Sequence, residues 1–249
     1  MKKHLSVIAW AAKSSLWLLL ILCIVTFALQ CLSFGSRLPA SGQAFIAPEN
    51  YYASSGGPMI ARIAFLVLCA LLAKTGCPYG GSRPQYLLQR LRISERSVVL
   101  MQSLYHVAAL MIYWMFQVLT AFTLFALYIH FAPPEQVGPQ SLLLMFYRNP
   151  YLHALLPLSD LVLHLRNCGL LLILSFSLAM FPFLMRRGKF SIATLFPALV
   201  TSIFFPSDMG AVAGNLVLLI VLLCDAALLL YLFFANPETE GGHTHEEAV

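Results

Sequence analysis

Residues 82–102 read SRPQYLLQRLRISERSVVLMQ, and this stretch decides how the chain is organised, because it is strongly basic and lies between long apolar runs. Its leucines and arginines interleave with helical spacing, as in a helix that lies on a surface or against a partner. We therefore predict a cytoplasmic docking segment, formed by Leu87, Leu88, Arg90, Leu91, Arg92, Ile93, Ser94, Glu95 and Arg96. The same pattern is also compatible with a topology signal joined to a helix that binds lipid headgroups.

Composition places the chain in the membrane. Hydrophobic residues make up 60% of the 249 residues, charged residues make up 10%, and the mean hydropathy is +0.81. Soluble domains do not have this composition, so we expect an all-α, polytopic protein embedded in a lipid bilayer. The net charge of +5 comes from loop residues and calls for no nucleic-acid partner. The six cysteines form no C-x-x-C pair and predict neither a disulfide framework nor a zinc site.

Six apolar runs predict six transmembrane helices within one transmembrane domain, residues 1–235. The third run is longer than a bilayer needs, so its helix is expected to tilt or to extend below the membrane, continuous with the docking segment. An N-terminal amphipathic helix should precede the first span, short outer-face helices should fill 132–167, and 236–249 should form a polar cytoplasmic tail. The predicted spans are 14–34, 59–76, 98–131, 168–185, 190–206 and 215–235.

The distribution of basic residues predicts the orientation. With six spans, eleven of the fifteen Lys and Arg residues fall on the side that holds both termini. Cytoplasmic loops carry an excess of such residues. We therefore expect a multi-pass protein of the cell membrane with both termini in the cytoplasm.

Polar side chains in two of the spans are candidates for a pathway or for helix–helix contacts. At 100° per residue, the polar residues of the third span fall within a stripe about 60° wide. They are Gln102, His106, Tyr113, Gln117 and Thr120. Asp225 lies midway along the sixth span, where a carboxylate must be protonated, paired or hydrated. Each of these residues can serve either a pathway or the packing of neighbouring helices.

The order of two spans, a basic amphipathic loop and four more spans resembles the permease subunits of type-2 ABC transporters, the six-helix exporter class. In that family the loop after the second span carries a coupling helix, matched here by Leu88, Leu91, Ile93, Ser94 and Arg96. The resemblance implies docking to a separate cytoplasmic ATPase that binds ATP and Mg, and pairing with a second permease chain, identical or not. The chain differs from the family in placing its long outer segment between the third and fourth spans.

Other functions have weaker signals in the sequence. No G-x-x-x-x-G-K-[ST] loop or hydrolase motif is present, so we expect no enzymatic activity in this chain. His153, Asp160 and His164 would share one face of a continuous helix as metal ligands, but Pro157 interrupts that face. His243 and His245 lie on the polar tail. Haem ligation by His106 and His130 is disfavoured, because the two histidines lie near opposite ends of one predicted helix. A non-enzymatic scaffold or assembly subunit is the strongest alternative to a permease.

Overall fold

A computed structural model describes residues 2–38, 46–75, 94–133, 137–138, 140–157, 160–186, 188, 192–205 and 212–235. Within these residues the chain is all-helical, as predicted, with nine α-helices and one 3-10 turn. The helices are α1 (Lys2–Gly35), α2 (Pro48–Ser54), α3 (Gly57–Lys74), α4 (Glu95–Phe131), α5 (Ser141–Arg148), α6 (Pro150–Leu155), α7 (Leu161–Arg186), α8 (Phe196–Phe204) and α9 (Val212–Ala235); the 3-10 turn is Ile192–Thr194.

Five of the described helices, namely α1, α3, α4, α7 and α9, are long and apolar enough to cross a membrane. Many of their large apolar side chains point outward, such as Trp17, Leu104 and Val217. In water such a surface would be a strong aggregation liability, whereas in lipid it is the expected exterior. The five helices indicate a multi-pass membrane protein.

Helix α4 is the centre of the bundle and packs against both α1 and α7. The Ser15 and Tyr105 hydroxyls are 2.7 Å apart, and Gln30 Nε2 donates to Gln117 Oε1 at 3.2 Å. Contacts therefore advance along α1 and α4 in the same direction, and the two helices run parallel. Helix α7 runs the opposite way, because its last turns, at Phe183, pack in one cluster with Val99 near the start of α4.

Helix α9 runs parallel to α7. Arg166 Nη1 donates to Asn215 Oδ1 at 2.7 Å near the start of both helices, and the Phe183 and Phe233 rings lie 6.4 Å apart near their ends. The end of α9 also meets the start of α4, where Arg96 Nη2 donates to the Phe234 carbonyl at 3.2 Å. The beginning of α1 and the end of α9 consequently lie at one end of the bundle.

The predicted fifth span, 190–206, is wrong as a single helix. In its described part a 3-10 turn is followed by the nine-residue α8, which is about 14 Å long and too short to cross a hydrocarbon core of about 30 Å. Pro197 stands in the first turn of α8, where its missing N–H costs nothing, and this position favours a helix start there rather than earlier. The Ser177 hydroxyl donates to the Thr194 carbonyl at 2.5 Å and holds this segment against α7.

Two further boundaries differ from the sequence prediction. The N-terminal segment is continuous with the first span in α1, because residues 2–13 contain neither Gly nor Pro to interrupt a helix. Helix α7 starts at Leu161 rather than at Cys168, since Asp160 Oδ1 accepts hydrogen bonds from Val162 N and Leu163 N and caps the helix. The outer segment therefore ends seven residues earlier than predicted.

Short helices α2, α5 and α6 form a cap over the end of the bundle at which α1 finishes. Arg148 Nη1 lies 3.3 Å from Glu49 Oε1, and Asn149 Nδ2 donates to the Glu49 carbonyl at 3.1 Å. The Asn149 side chain also caps α6 by accepting from Tyr151 N and Leu152 N. These contacts fix α2 to the turn between α5 and α6.

Candidate ligand site

The five polar residues of the predicted stripe on α4 lie in the interior of the bundle. Gln102, His106, Tyr113, Gln117 and Thr120 are each buried. One face of α4 carries them, where α1 and α7 pack against this helix and where the Tyr113 hydroxyl reaches α3. A polar face inside an apolar bundle needs hydrogen-bond partners, and the structure provides them unevenly.

Gln117 and Tyr113 join three helices near the cap. Gln30 Nε2 donates both to Gln117 Oε1 and, at 3.1 Å, to the Gly57 carbonyl at the start of α3. The Tyr113 hydroxyl donates to the Ala61 carbonyl at 2.8 Å, and the Gln117 amide lies close to that hydroxyl. These bonds hold α1, α3 and α4 together at one depth.

His106 joins α3, α4 and α7 closer to the other end of the bundle. Its Nε2 is 2.9 Å from Thr75 Oγ1, and its Nδ1 is 3.4 Å from the Ser175 carbonyl. Because a carbonyl only accepts, the neutral ring carries its proton on Nδ1, and Nε2 accepts from the Thr75 hydroxyl. That hydroxyl also lies 2.6 Å from the Leu72 carbonyl, so its single hydrogen is shared between two acceptors.

Gln102 and Thr120 differ from the other residues of the stripe. The Thr120 hydroxyl donates to the Phe116 carbonyl of its own helix at 2.8 Å. Gln102 is fully buried, and neither polar atom of its amide has a hydrogen-bond partner among the described residues. A buried amide of this kind is a place where water or another polar group is expected to bind.

A cavity opens between α3, α4, α6, α7 and α8 on the cap side of the bundle. It is an open cleft of about 420 Å³, and this volume includes solvent at its mouth. Pockets for small molecules are mainly apolar with a few polar groups. The polar groups here are Arg62, Tyr113, Gln117, Tyr151, Thr201 and Ser202.

Tyr151 lines the cavity from the cap. Its ring stacks on that of Tyr52, with centroids 5.9 Å apart and an interplanar angle of 30°. Burial raises the pKa of both phenols, and the positive charge of Arg62 opposes this effect at Tyr151. Both hydroxyls therefore stay protonated at neutral pH and can act as hydrogen-bond donors.

Asp225 faces inward on α9, on the same side as Leu218, Leu222 and Leu229. Only 8% of its surface is exposed, and its Oδ2 atom has no hydrogen-bond partner among the described residues. Asp225 does not line the cavity, so the structure separates it from the polar residues of α4.

Most of the predicted docking segment lies outside the described residues, including Leu87, Leu88, Arg90, Leu91, Arg92 and Ile93. Its last three residues start α4. The Ser94 hydroxyl accepts from Ser97 N at 3.3 Å and caps the helix, and Glu95 stands in the first turn. Arg96 lies over the Phe233 and Phe234 rings, with distances of 5.9 and 5.7 Å to their centroids.

The histidines considered as ligands serve other contacts. His153 packs on Tyr147, His164 packs beside Trp114, and Asp160 caps α7. Among the described residues, no three His, Cys, Asp or Glu side chains come together as metal ligands. His130 is exposed at the far end of α4 from His106, about 36 Å away along the helix. His243 and His245 lie outside the described residues.

Sequence reasoning missed a buried polar cluster at the start of α7. Arg166 is fully buried, and its guanidinium donates to Asn167 Oδ1 from Nη2 at 3.0 Å and to Asn215 Oδ1. Asn167 in turn donates to the Ala154 carbonyl of α6 at 2.6 Å. The Asp160 cap was the available signal, since an Asp directly before an apolar run predicts a helix start and would have placed Arg166 inside α7.

The cavity and the polar contacts around α4 come from helices that are far apart in the sequence. Comparison of this chain with protein-family models, with curated protein sequences and with solved structures found no match in any of the three.

Proposed function

We propose that this chain is the membrane-spanning permease subunit of an ABC transporter of the exporter type. It carries no catalytic residues of its own. A separate cytoplasmic ATPase, which binds ATP and Mg, docks on residues 87–96, and a second permease chain completes the transporter in the cell membrane. The substrate is a small molecule that passes through the cavity on the cap side.

The observation that carries this proposal is the continuity of α4. This helix has 37 residues and begins at Glu95, within the last residues of the docking segment. It is about 55 Å long, and about 27 Å separate Glu95 from Tyr113 on the cavity wall. No Pro or Gly interrupts it. A displacement of the docking segment would consequently reach the cavity through one rigid element.

The interior of the bundle fits one state of an alternating-access cycle. On the side away from the cap, the space beneath the cavity is filled by the buried side chains of Leu68, Leu72, Leu174 and Leu178. The cavity is thus closed towards the docking segment. ATP-driven movement of α4 against α3 and α7 would shift the chain between two packings, as such a cycle requires.

An orientation with both termini in the cytoplasm is part of the proposal. The start of α1 and the end of α9 lie at the same end of the bundle as the start of α4. Because α7 and α9 run parallel, the chain between Arg186 and Val212 must return along the bundle, and α8 covers part of that return. This path supports a sixth crossing that is broken rather than helical throughout.

The test is affinity purification in mild detergent with an ATPase assay on the eluate. We expect the native chain to retain a stoichiometric soluble ATPase, and Arg90→Glu with Leu91→Asp to lose it. The matched control is Arg37→Glu with Leu38→Asp, which changes the same dipeptide outside the docking segment. Equal ATPase retention by the docking variant and the control would contradict the docking role.

A scaffold subunit of a larger membrane complex is the second candidate. It is favoured by the dense apolar packing that closes the bundle beneath the cavity. This alternative predicts that other membrane proteins, and no ATPase, accompany the native chain in the same purification.

A further inference from the structure

Arg62 carries a positive charge that faces the cavity. It stands on α3, about 8 Å along the helix from its first residue, and lines the cavity beside Phe65 and Ala61. Its side chain is exposed, and none of the described residues accepts a hydrogen bond from its guanidinium. A cation at this depth in a membrane helix is a functional candidate, because it calls for an anion or for water.

A hydroxyl donor accompanies this cation. The Tyr151 oxygen lies near enough to Arg62 to feel its charge, and the Tyr151 ring stacks on that of Tyr52. The hydroxyl of Tyr151 can donate its hydrogen to an acceptor within the cavity. Arg62 and Tyr151 thus present donors to the same space, and none of the described lining residues is a carboxylate.

The rest of the wall is apolar and aromatic. Trp114 is fixed there by a hydrogen bond of 2.7 Å from its Nε1 to the Leu155 carbonyl, and the Phe205 ring packs on it at 5.5 Å in an edge-on arrangement. Leu110 and Leu171 extend the apolar surface. A cation beside an aromatic wall matches a ligand with one anionic group and an apolar body.

We propose that this cavity binds an amphipathic anion, with its carboxylate or phosphate on Arg62 and Tyr151 and its apolar body against Trp114 and Phe205. The assignment names the substrate class of the transporter and in that respect rests on the proposed function. The anion can be an anionic membrane lipid or a water-soluble amphiphile, since both present the same chemistry.

The binding test uses the full chain purified in an uncharged detergent, without any ATPase. Trp10→Phe and Trp17→Phe leave Trp114 as the single tryptophan of the chain. Binding of dansylaminoundecanoate is followed by energy transfer from Trp114 to the dansyl group. The uncharged methyl ester of the same molecule serves as the matched ligand. Because the ATPase is absent, failure here leaves the docking result untouched, and the reverse also holds.

We expect the carboxylate to bind at least about tenfold more tightly than its ester, as loss of one charge-assisted hydrogen bond implies. Arg62→Gln should remove that preference, Tyr151→Phe should reduce it, and the control Arg37→Gln should leave it intact. Equal affinity for the two ligands, or an unchanged preference in Arg62→Gln, would overturn the proposal.

Competition identifies the source of the anion. Short-chain phosphatidylglycerol and decanoate are added separately to the bound dansyl ligand, with short-chain phosphatidylcholine as the zwitterionic control. Displacement by phosphatidylglycerol alone assigns the cavity to membrane lipids, and displacement by decanoate alone assigns it to soluble amphiphiles. Displacement by phosphatidylcholine as efficient as by either anion would contradict recognition of negative charge.

Discussion

Replacement of Asn215 by Leu tests the buried arginine cluster that joins α7 to α9. Arg166 and Asn215 are 0% and 1% exposed, and the 2.7 Å bond between them is the shortest that Arg166 makes to these asparagines. The substitution removes the Asn215 acceptor from this buried guanidinium, which keeps its bonds to Asn167. Hydrogen bonds to charged groups contribute about 1.5–3 kcal/mol, so we expect the free energy of unfolding to fall by about 2 kcal/mol.

The measurement is equilibrium unfolding of the detergent-solubilised chain by sodium dodecyl sulfate, followed by circular dichroism. A loss of about 2 kcal/mol corresponds to a roughly thirtyfold change in the unfolding constant. Asn215→Asp keeps the shape and the acceptor and should retain native stability. Thr120→Val is the control for loss of a buried hydroxyl, because Thr120 bonds only within its own helix. If Asn215→Leu were as stable as Thr120→Val, the cluster would not hold α7 to α9.

Three further predictions concern the bundle and its cap. A double-mutant cycle of Gln30→Leu and Gln117→Leu should give a coupling of about 0.6 kcal/mol, and no more than about 1.7, in the same unfolding assay; zero coupling would contradict a bond between these amides. Asn149→Ala should lower stability by about 1 kcal/mol through loss of the α6 cap. Glu49→Gln should cost less, because the Arg148 side chain that pairs with Glu49 is 61% exposed. A larger loss of stability in Glu49→Gln than in Asn149→Ala would contradict this ranking. Because the pKa values of Tyr52 and Tyr151 are raised in the folded chain, its stability should decline as the pH rises above about 10. The double variant Tyr52→Phe with Tyr151→Phe should reduce that decline. An identical pH profile in the double variant would show that these two phenols do not cause the decline.

The helices with unbroken apolar runs were predictable from the sequence. Helix α3 spans Gly57–Lys74 against a predicted 59–76, and the end of α4 at Phe131 was predicted to the residue. Hydropathy determines these boundaries because the bilayer demands about 20 apolar residues in a row. It fails where polar residues interrupt a helix that is buried by its neighbours, as at Arg166 in α7.

The cavity was predictable only in part. The helical period placed Tyr113 and Gln117 on one face of α4, but it could not name the residues opposite. Arg62, Tyr151 and Thr201 reach the cavity from three other helices, and their approach depends on tertiary packing that one sequence does not encode locally. The short helix within the predicted fifth span, 190–206, escaped prediction for the same reason, because composition alone does not distinguish a continuous apolar helix from a short one that follows a 3-10 turn.

We propose that α4 transmits movement of the docking segment to the cavity. Emission from Trp114, as the single tryptophan of the Trp10→Phe and Trp17→Phe chain, reports on the cavity wall directly. With the ATPase bound in proteoliposomes and the ATPase kept free of tryptophan, addition of Mg and ATP should shift this emission. The shift should disappear with Arg90→Glu and Leu91→Asp and should be absent with ADP. Sustained ATP hydrolysis by the native complex with no change at Trp114 would contradict the claim.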